Sequence, residues 1–135
     1  MQYMEQECIL TEPEIIEKLK YWQNKLGLDS WEIKFSFKKQ SHLGPSEQAH
    51  CEWVLPKSSA AINIVCHEDY DNNLWPQDME TSLVHELLHI KSAAFDNFDE
   101  KSLQDVMFEQ FIDQMSKILV TMDREKLCVK SHIPK

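Results

Sequence analysis

Along the chain the spacing of hydrophobic positions switches from a period of about 3.6 to a period of two and back again. Thr11-Glu12-Pro13-Glu14 forms a capping box with proline in the first turn, and Ile15, Ile16, Leu19, Trp22 and Leu26 follow at helical spacing up to Gly27. Trp31, Ile33, Phe35 and Phe37 then alternate with Glu32, Lys34, Ser36 and Lys38, which predicts a strand with one buried face. The polar tract 39–48, with Gly44-Pro45, reads as a loop. Two short apolar runs, 49–55 and 60–65, flank Pro56-Lys57-Ser58-Ser59 and predict a hairpin. Pairing about Ser58 and Ser59 sets Leu55, Trp53 and Cys51 against Ile62, Ile64 and Cys66, and places His50 opposite His67. Two histidines at a strand end with no third ligand are more simply exposed side chains than a metal pair.

After an acidic, turn-rich stretch at 67–77, the helical period returns over 78–94, where Leu83, Leu87, Ile90 and Ala94 form a stripe with Val84 and Leu88 beside it. So much apolar circumference predicts a buried helix. Asp96-Asn97-Phe98-Asp99 turns the chain into a last helix over 100–123, whose stripe runs from Phe108 and Phe111 through Ile112, Met115 and Ile118 to Met122. Helix, three strands and two long helices, in that order, give an α+β layer with helices on one sheet face. At 135 residues the chain is one domain, with 1–10 and 127–135 expected as tails.

The buried helix carries His85-Glu86-Leu87-Leu88-His89. Four residues advance a helix by slightly more than one turn, so both imidazoles project the same way and can grip one ion. Glu86 sits about a hundred degrees round, poor as a ligand but placed to hold a metal-bound water as general base. Burying these three groups among leucines without a partner costs several kcal/mol, whereas a metal satisfies them together. Downstream, Glu109 lies in a periodic helical stretch. Two histidines, one carboxylate and an open position are the composition of a catalytic zinc site. Asp113, one turn beyond Glu109, can accept the free ring N–H of His85 and fix its tautomer.

His85-Glu86-x-x-His89 followed by Glu109-x-x-x-Asp113 resembles the gluzincin clan of zinc metallopeptidases, and the short chain is most similar to the minimal, single-domain gluzincins. The resemblance spans Leu83 to Asp113. It implies one zinc ion held by His85, His89 and Glu109, Glu86 as base, Asp113 as support, and a zincin-like fold with a backing helix, small sheet, motif helix and ligand helix. It also implies an oxyanion-stabilising tyrosine or histidine, for which no motif match exists; Tyr70, His67 and His132 are the candidates, in that order. A cleft between an edge strand and the motif helix would hold an extended peptide, and 60–65 is the expected edge.

Competing patterns fit less well. Ser92 and Phe95 stand where a metzincin needs glycine and histidine, and no histidine lies between His89 and His132 for a SprT-type site. His67-Glu68 lacks the later Pro-Cys-x-x-Cys of a nucleoside deaminase. A net charge of −9 without a Lys/Arg cluster argues against nucleic acid or an anionic membrane as partner. No apolar run reaches the ~20 residues of a membrane span, the N-terminus lacks an export signal, and Cys8, Cys51, Cys66 and Cys128 form no C-x-x-C pair. A cytoplasmic protein with free thiols is expected, acting on a peptide or protein. Two other functions remain open: a zinc-stabilised binding or regulatory module, and a latent peptidase whose tail, 131–135, fills its own cleft.

Overall fold

The first helix, α1 (Glu12–Lys25), begins where its capping box predicts. The Thr11 amide donates to the Glu14 carboxylate at 2.9 Å, and the Glu14 amide reaches back to the Thr11 hydroxyl at 3.4 Å. It buries Ile15, Leu19 and Trp22, and ends before Gly27, whose φ of +70° suits a residue without Cβ. In this computed structural model the described residues are 6–44, 47–70 and 75–132, the last six for their backbone alone.

Strands β1 (Glu32–Lys38), β2 (Ala49–Val54) and β3 (Ser59–Val65) form a mixed sheet in the order β1-β3-β2, with β1 parallel and β2 antiparallel to β3. The period-two pattern of β1 holds: Ile33, Phe35 and Phe37 pack toward the core while the residues between them are exposed. Along β3, Ala60, Ile62 and Ile64 are buried on that same side.

The hairpin forms, but in another register. Leu55–Lys57 makes a tight 3₁₀ turn and Ser58 takes a left-handed conformation at φ 48°, so the strands pair closer to the turn than a centre at Ser58 and Ser59 requires. Cys51 faces Ile62, not Cys66, and His50 faces Asn63, not His67. The displacement is an even number of residues, so the buried face is unchanged although every partner changes. A second correction concerns the edge. The segment 60–65 is the central strand, because β1 pairs along its other side; β2 is the edge nearest the motif helix.

Asp78 caps α2 (Met79–Lys91) by accepting the Thr81 amide at 3.1 Å. Leu83, Val84 and Leu87 are wholly buried, and truncating either leucine to alanine should cost about 2–5 kcal/mol. The last helix, α3 (Leu103–His132), starts three residues later than predicted and runs well past Asp123, so the backbone of 127–132 is helical rather than a tail. It packs through the narrow line Ile112, Ser116 and Val120; Phe111 and Met122, expected in the core, are more than half exposed. At the other end residues 6–10 are also tied down: Cys8 bridges to the segment before α2, exchanging backbone hydrogen bonds with Gln77 and Met79, both 2.9 Å. Among the described residues no helix is long and apolar enough to cross a membrane.

Candidate metal centre

α2 and α3 pack side by side, and the contact brings the motif residues to Glu109. The Nε2 atom of His85 lies 2.7 Å from one oxygen of Glu109 and the Nε2 atom of His89 lies 2.8 Å from the other. One donor atom from each of the three residues falls within 4.8 Å of the other two. The two rings stand one helical turn apart, their centroids separated by 5.1 Å. Both rings thus aim the same nitrogen at a common point, with a carboxylate beside it.

The other ring nitrogens face carboxylates too. His85 Nδ1 lies 3.6 Å from Asp113, whose second oxygen holds Lys117 at 2.9 Å. His89 Nδ1 is hydrogen-bonded to Asp96 at 2.9 Å, and both partners are largely buried. Carboxylates behind the rings hold a proton on Nδ1, so that when the Nε2 proton shared with Glu109 is displaced, the Nε2 lone pair is left to bind a cation. The Asp113 contact is the one expected from sequence. Asp96 was not expected: its segment reads as a turn, and only the fold of 92–99 carries the carboxylate back toward a histidine seven residues earlier. An acid in the turn right after a metal-binding helix is the signal that could have pointed to it.

Electrostatics follow from this geometry. Burial works against charge on His85, but the Asp113 and Glu109 carboxylates outweigh it and hold the imidazole up to about 10. His89 is raised likewise, by Glu109 and Asp96 against its burial. Hydrogen bonds from both rings pull Glu109 far below the usual carboxylate range. Glu86 moves the other way: it is 7% exposed, and burial raises its pKa despite the histidines and the Cys51 thiol nearby. Burial, with Glu86 beside it, also pushes the Cys51 thiol up, so Cys51 stays protonated.

The cluster opens on a cavity of about 770 Å³ between α2, α3 and the edge strand β2, lined by Cys51 and Trp53 of the strand and by Trp75. Of the expected oxyanion stabilisers, His67 and Tyr70 do not line it. His67 Nδ1 is engaged by Gln77 at 2.9 Å, and the Tyr70 hydroxyl donates to the Trp75 carbonyl at 3.0 Å. The His132 side chain lies outside the described residues; its backbone is about six helical turns beyond Glu109. Nor do His50 and His67 meet, since His50 instead has Glu52 at 3.5 Å. Among the described residues Cys8, Cys51 and Cys66 are free thiols.

Comparison of the chain with protein-family models, with curated proteins and with solved structures finds no match in any of the three.

Proposed function

We propose that the protein is a zinc-dependent peptidase, with a zincin-like arrangement resembling that of the minimal gluzincins. The observation that carries this reading is the convergence of two Nε2 atoms on the two oxygens of Glu109, with a carboxylate behind each ring. This donor set fits zinc: two imidazole nitrogens and one carboxylate make three protein ligands, and the cavity leaves a fourth position accessible. When bound, zinc supplies a Lewis acid able to lower the pKa of water to roughly 7 and to polarise a scissile carbonyl.

The remaining roles fall to the chain's own residues. Asp113 and Asp96 orient the histidines and fix their tautomers. Glu86 accepts a proton at its carboxylate and delivers it to the departing amine, and the upward shift imposed by burial brings that carboxylate nearer neutral pH, where a general base works best. Among the described residues nothing pairs with the outer side of β2, so an extended peptide can add there as a further strand, its scissile bond beside α2.

Metal analysis of the purified protein, together with digestion of a general peptide library, tests the proposal. Glu86→Gln should retain one zinc per chain and lose turnover by about 10²- to 10⁴-fold. Undiminished hydrolysis by that variant would remove Glu86 from the mechanism. A second reading, a zinc-stabilised binding module, draws support from His67 and Tyr70 being occupied elsewhere; zinc in the wild-type protein with no library peptide cut would favour it. The backbone of α3 carries Ser131 about 33 Å along its axis from Glu109, which speaks against Ser131 and His132 filling the cleft; the rest of that tail, 133–135, lies outside the described residues.

A further inference from the structure

We propose that the Thr81 and Ser82 hydroxyls form a subsite beside the metal centre that binds the carboxamide of a glutamine or asparagine flanking the scissile bond, an inference that rests on the peptidase reading above. Both residues line the cavity, and both are more than nine-tenths buried, Thr81 with 4% and Ser82 with 8% of its surface exposed. They belong to the motif helix itself. Ser82 lies one turn before His85 and Glu86, and Thr81 one turn before His85. Helical geometry therefore sets their Cβ atoms about 5–6 Å from that of a metal ligand and, for Ser82, from that of the base.

A hydroxyl inside a helix ordinarily turns back onto a carbonyl of the preceding turn. Ser92 does so, donating to the Leu88 carbonyl at 2.7 Å, and Ser116 donates to that of Asp113 at 2.7 Å. Thr81 and Ser82 differ. Asp78 accepts both of their backbone amides, but neither hydroxyl has a hydrogen-bond partner among the described residues. Every side-chain oxygen or nitrogen sealed from solvent there does have a partner, so the small exposed part of each residue includes its hydroxyl oxygen, open to the cavity. Buried hydroxyls are paired as a rule. Two that stay open beside a metal centre take their partners from what fills the cavity.

The chemistry of the pair selects the group. Each hydroxyl donates one hydrogen bond and accepts up to two. A carboxamide both donates and accepts, so it satisfies the two together. An ammonium only donates and leaves both hydroxyl protons without an acceptor. A carboxylate only accepts, and Lys117, the ammonium lining the cavity, is already held by Asp113. An apolar side chain of the same length strips water from both hydroxyls and leaves them unpaired, which weakens binding by on the order of tenfold for each.

The test uses the zinc-loaded full chain and three quenched-fluorescence peptides, identical except for Gln, Met or Glu in the residues flanking the scissile bond. These side chains are of nearly one size. kcat/KM for the glutamine peptide should exceed that for either of the others by on the order of tenfold. Ser82→Ala and Thr81→Val each remove one hydroxyl and should each shrink the ratio of glutamine to methionine several-fold. Cleavage that does not distinguish Gln from Met, or a preference that survives both substitutions, would overturn the inference and leave the peptidase reading standing. If no peptide is cut, the peptidase reading fails, and anisotropy titration of the zinc-loaded chain with the same peptides decides the inference separately. There, glutamine bound more tightly than methionine and glutamate, by a margin that Ser82→Ala reduces, supports it; any other order, or no binding, overturns it.

Discussion

Two polar networks hang on the same helix, one at each end of α2, and they are built on opposite principles. At the N-terminal end Asp78 and Glu80, 1% and 3% exposed, meet Arg124, Lys18 and the Trp22 indole. Arg124 donates to both oxygens of Asp78 at 3.0 and 2.9 Å, and Trp22 donates to Glu80 at 2.9 Å. Two acids face two bases, each donor has an acceptor, and the cluster ties α1, α2 and α3 together. One turn further along, His85, His89, Glu109, Asp96 and Asp113 surround an opening to solvent, and two nitrogens share one carboxylate with acids in excess. A network that exists to hold the fold balances itself. One that aims two imidazole nitrogens at a common carboxylate is balanced by protons in the metal-free fold, and by any cation that displaces them.

Substitutions at the two ends should therefore dissociate. Glu109→Ala removes a ligand and should abolish stoichiometric zinc and turnover together, while the metal-free protein keeps most of its stability because Glu109 is about half exposed. Arg124→Ala leaves Asp78 as an uncompensated buried charge, while Glu80 keeps Lys18 and Trp22, and should cost about 3–5 kcal/mol in denaturant unfolding. Whatever fraction stays folded should still bind zinc. If Arg124→Ala lost zinc at concentrations of denaturant where it remains folded, or if Glu109→Ala unfolded the protein, the division between the two networks would be wrong.

The sequence makes one of these networks legible and hides the other. His85, Glu86 and His89 are readable because local helical spacing alone puts them on neighbouring positions, and Glu109 and Asp113 because the same spacing recurs on a second helix. The capping box at Thr11 and the alternation of β1 are local in the same way. What required the third dimension was everything set by pairing between segments. The hairpin register hinged on Ser58 adopting a left-handed conformation, and the identity of the edge strand hinged on β1 choosing β3 as its partner. Phe111 and Met122 fit a core stripe by period, but α3 packs on a narrower line. Arg124 and Asp78 are 46 residues apart, and no local pattern announces their contact.

A smaller effect sharpens the account of the metal end. Asp96→Asn keeps the shape of the side chain that holds His89 Nδ1 but removes its charge. The ring should stay oriented while its basicity falls, weakening zinc affinity by about 10- to 100-fold with little change in zinc stoichiometry at saturation. Competition with a chromophoric chelator reads this directly. Wild-type affinity in the variant would mean that the contact between Asp96 and His89 serves packing alone, as contacts at the other end of α2 do.

The last test uses pH, under which the same ionisation drives stability and metal binding in opposite directions. In the metal-free fold His85 is held up to about 10 from an ordinary value near 6.5, so folding favours its protonated form. That contribution to stability is fully present below about pH 6.5 and is lost as pH rises through 10. Zinc needs the neutral ring, so each proton it displaces weakens apparent affinity by about tenfold per unit of pH lowered within this window. Between pH 7 and 9 the metal-free protein should become easier to unfold while zinc binds more tightly, and calorimetry in buffers of different ionisation enthalpy at pH 7 should register proton release on zinc uptake. Tyr21, held up to about 12 by its hydrogen bond to Asp123, titrates too high to interfere. Stability and affinity rising together across that interval would mean that His85 is not the group whose proton the metal replaces.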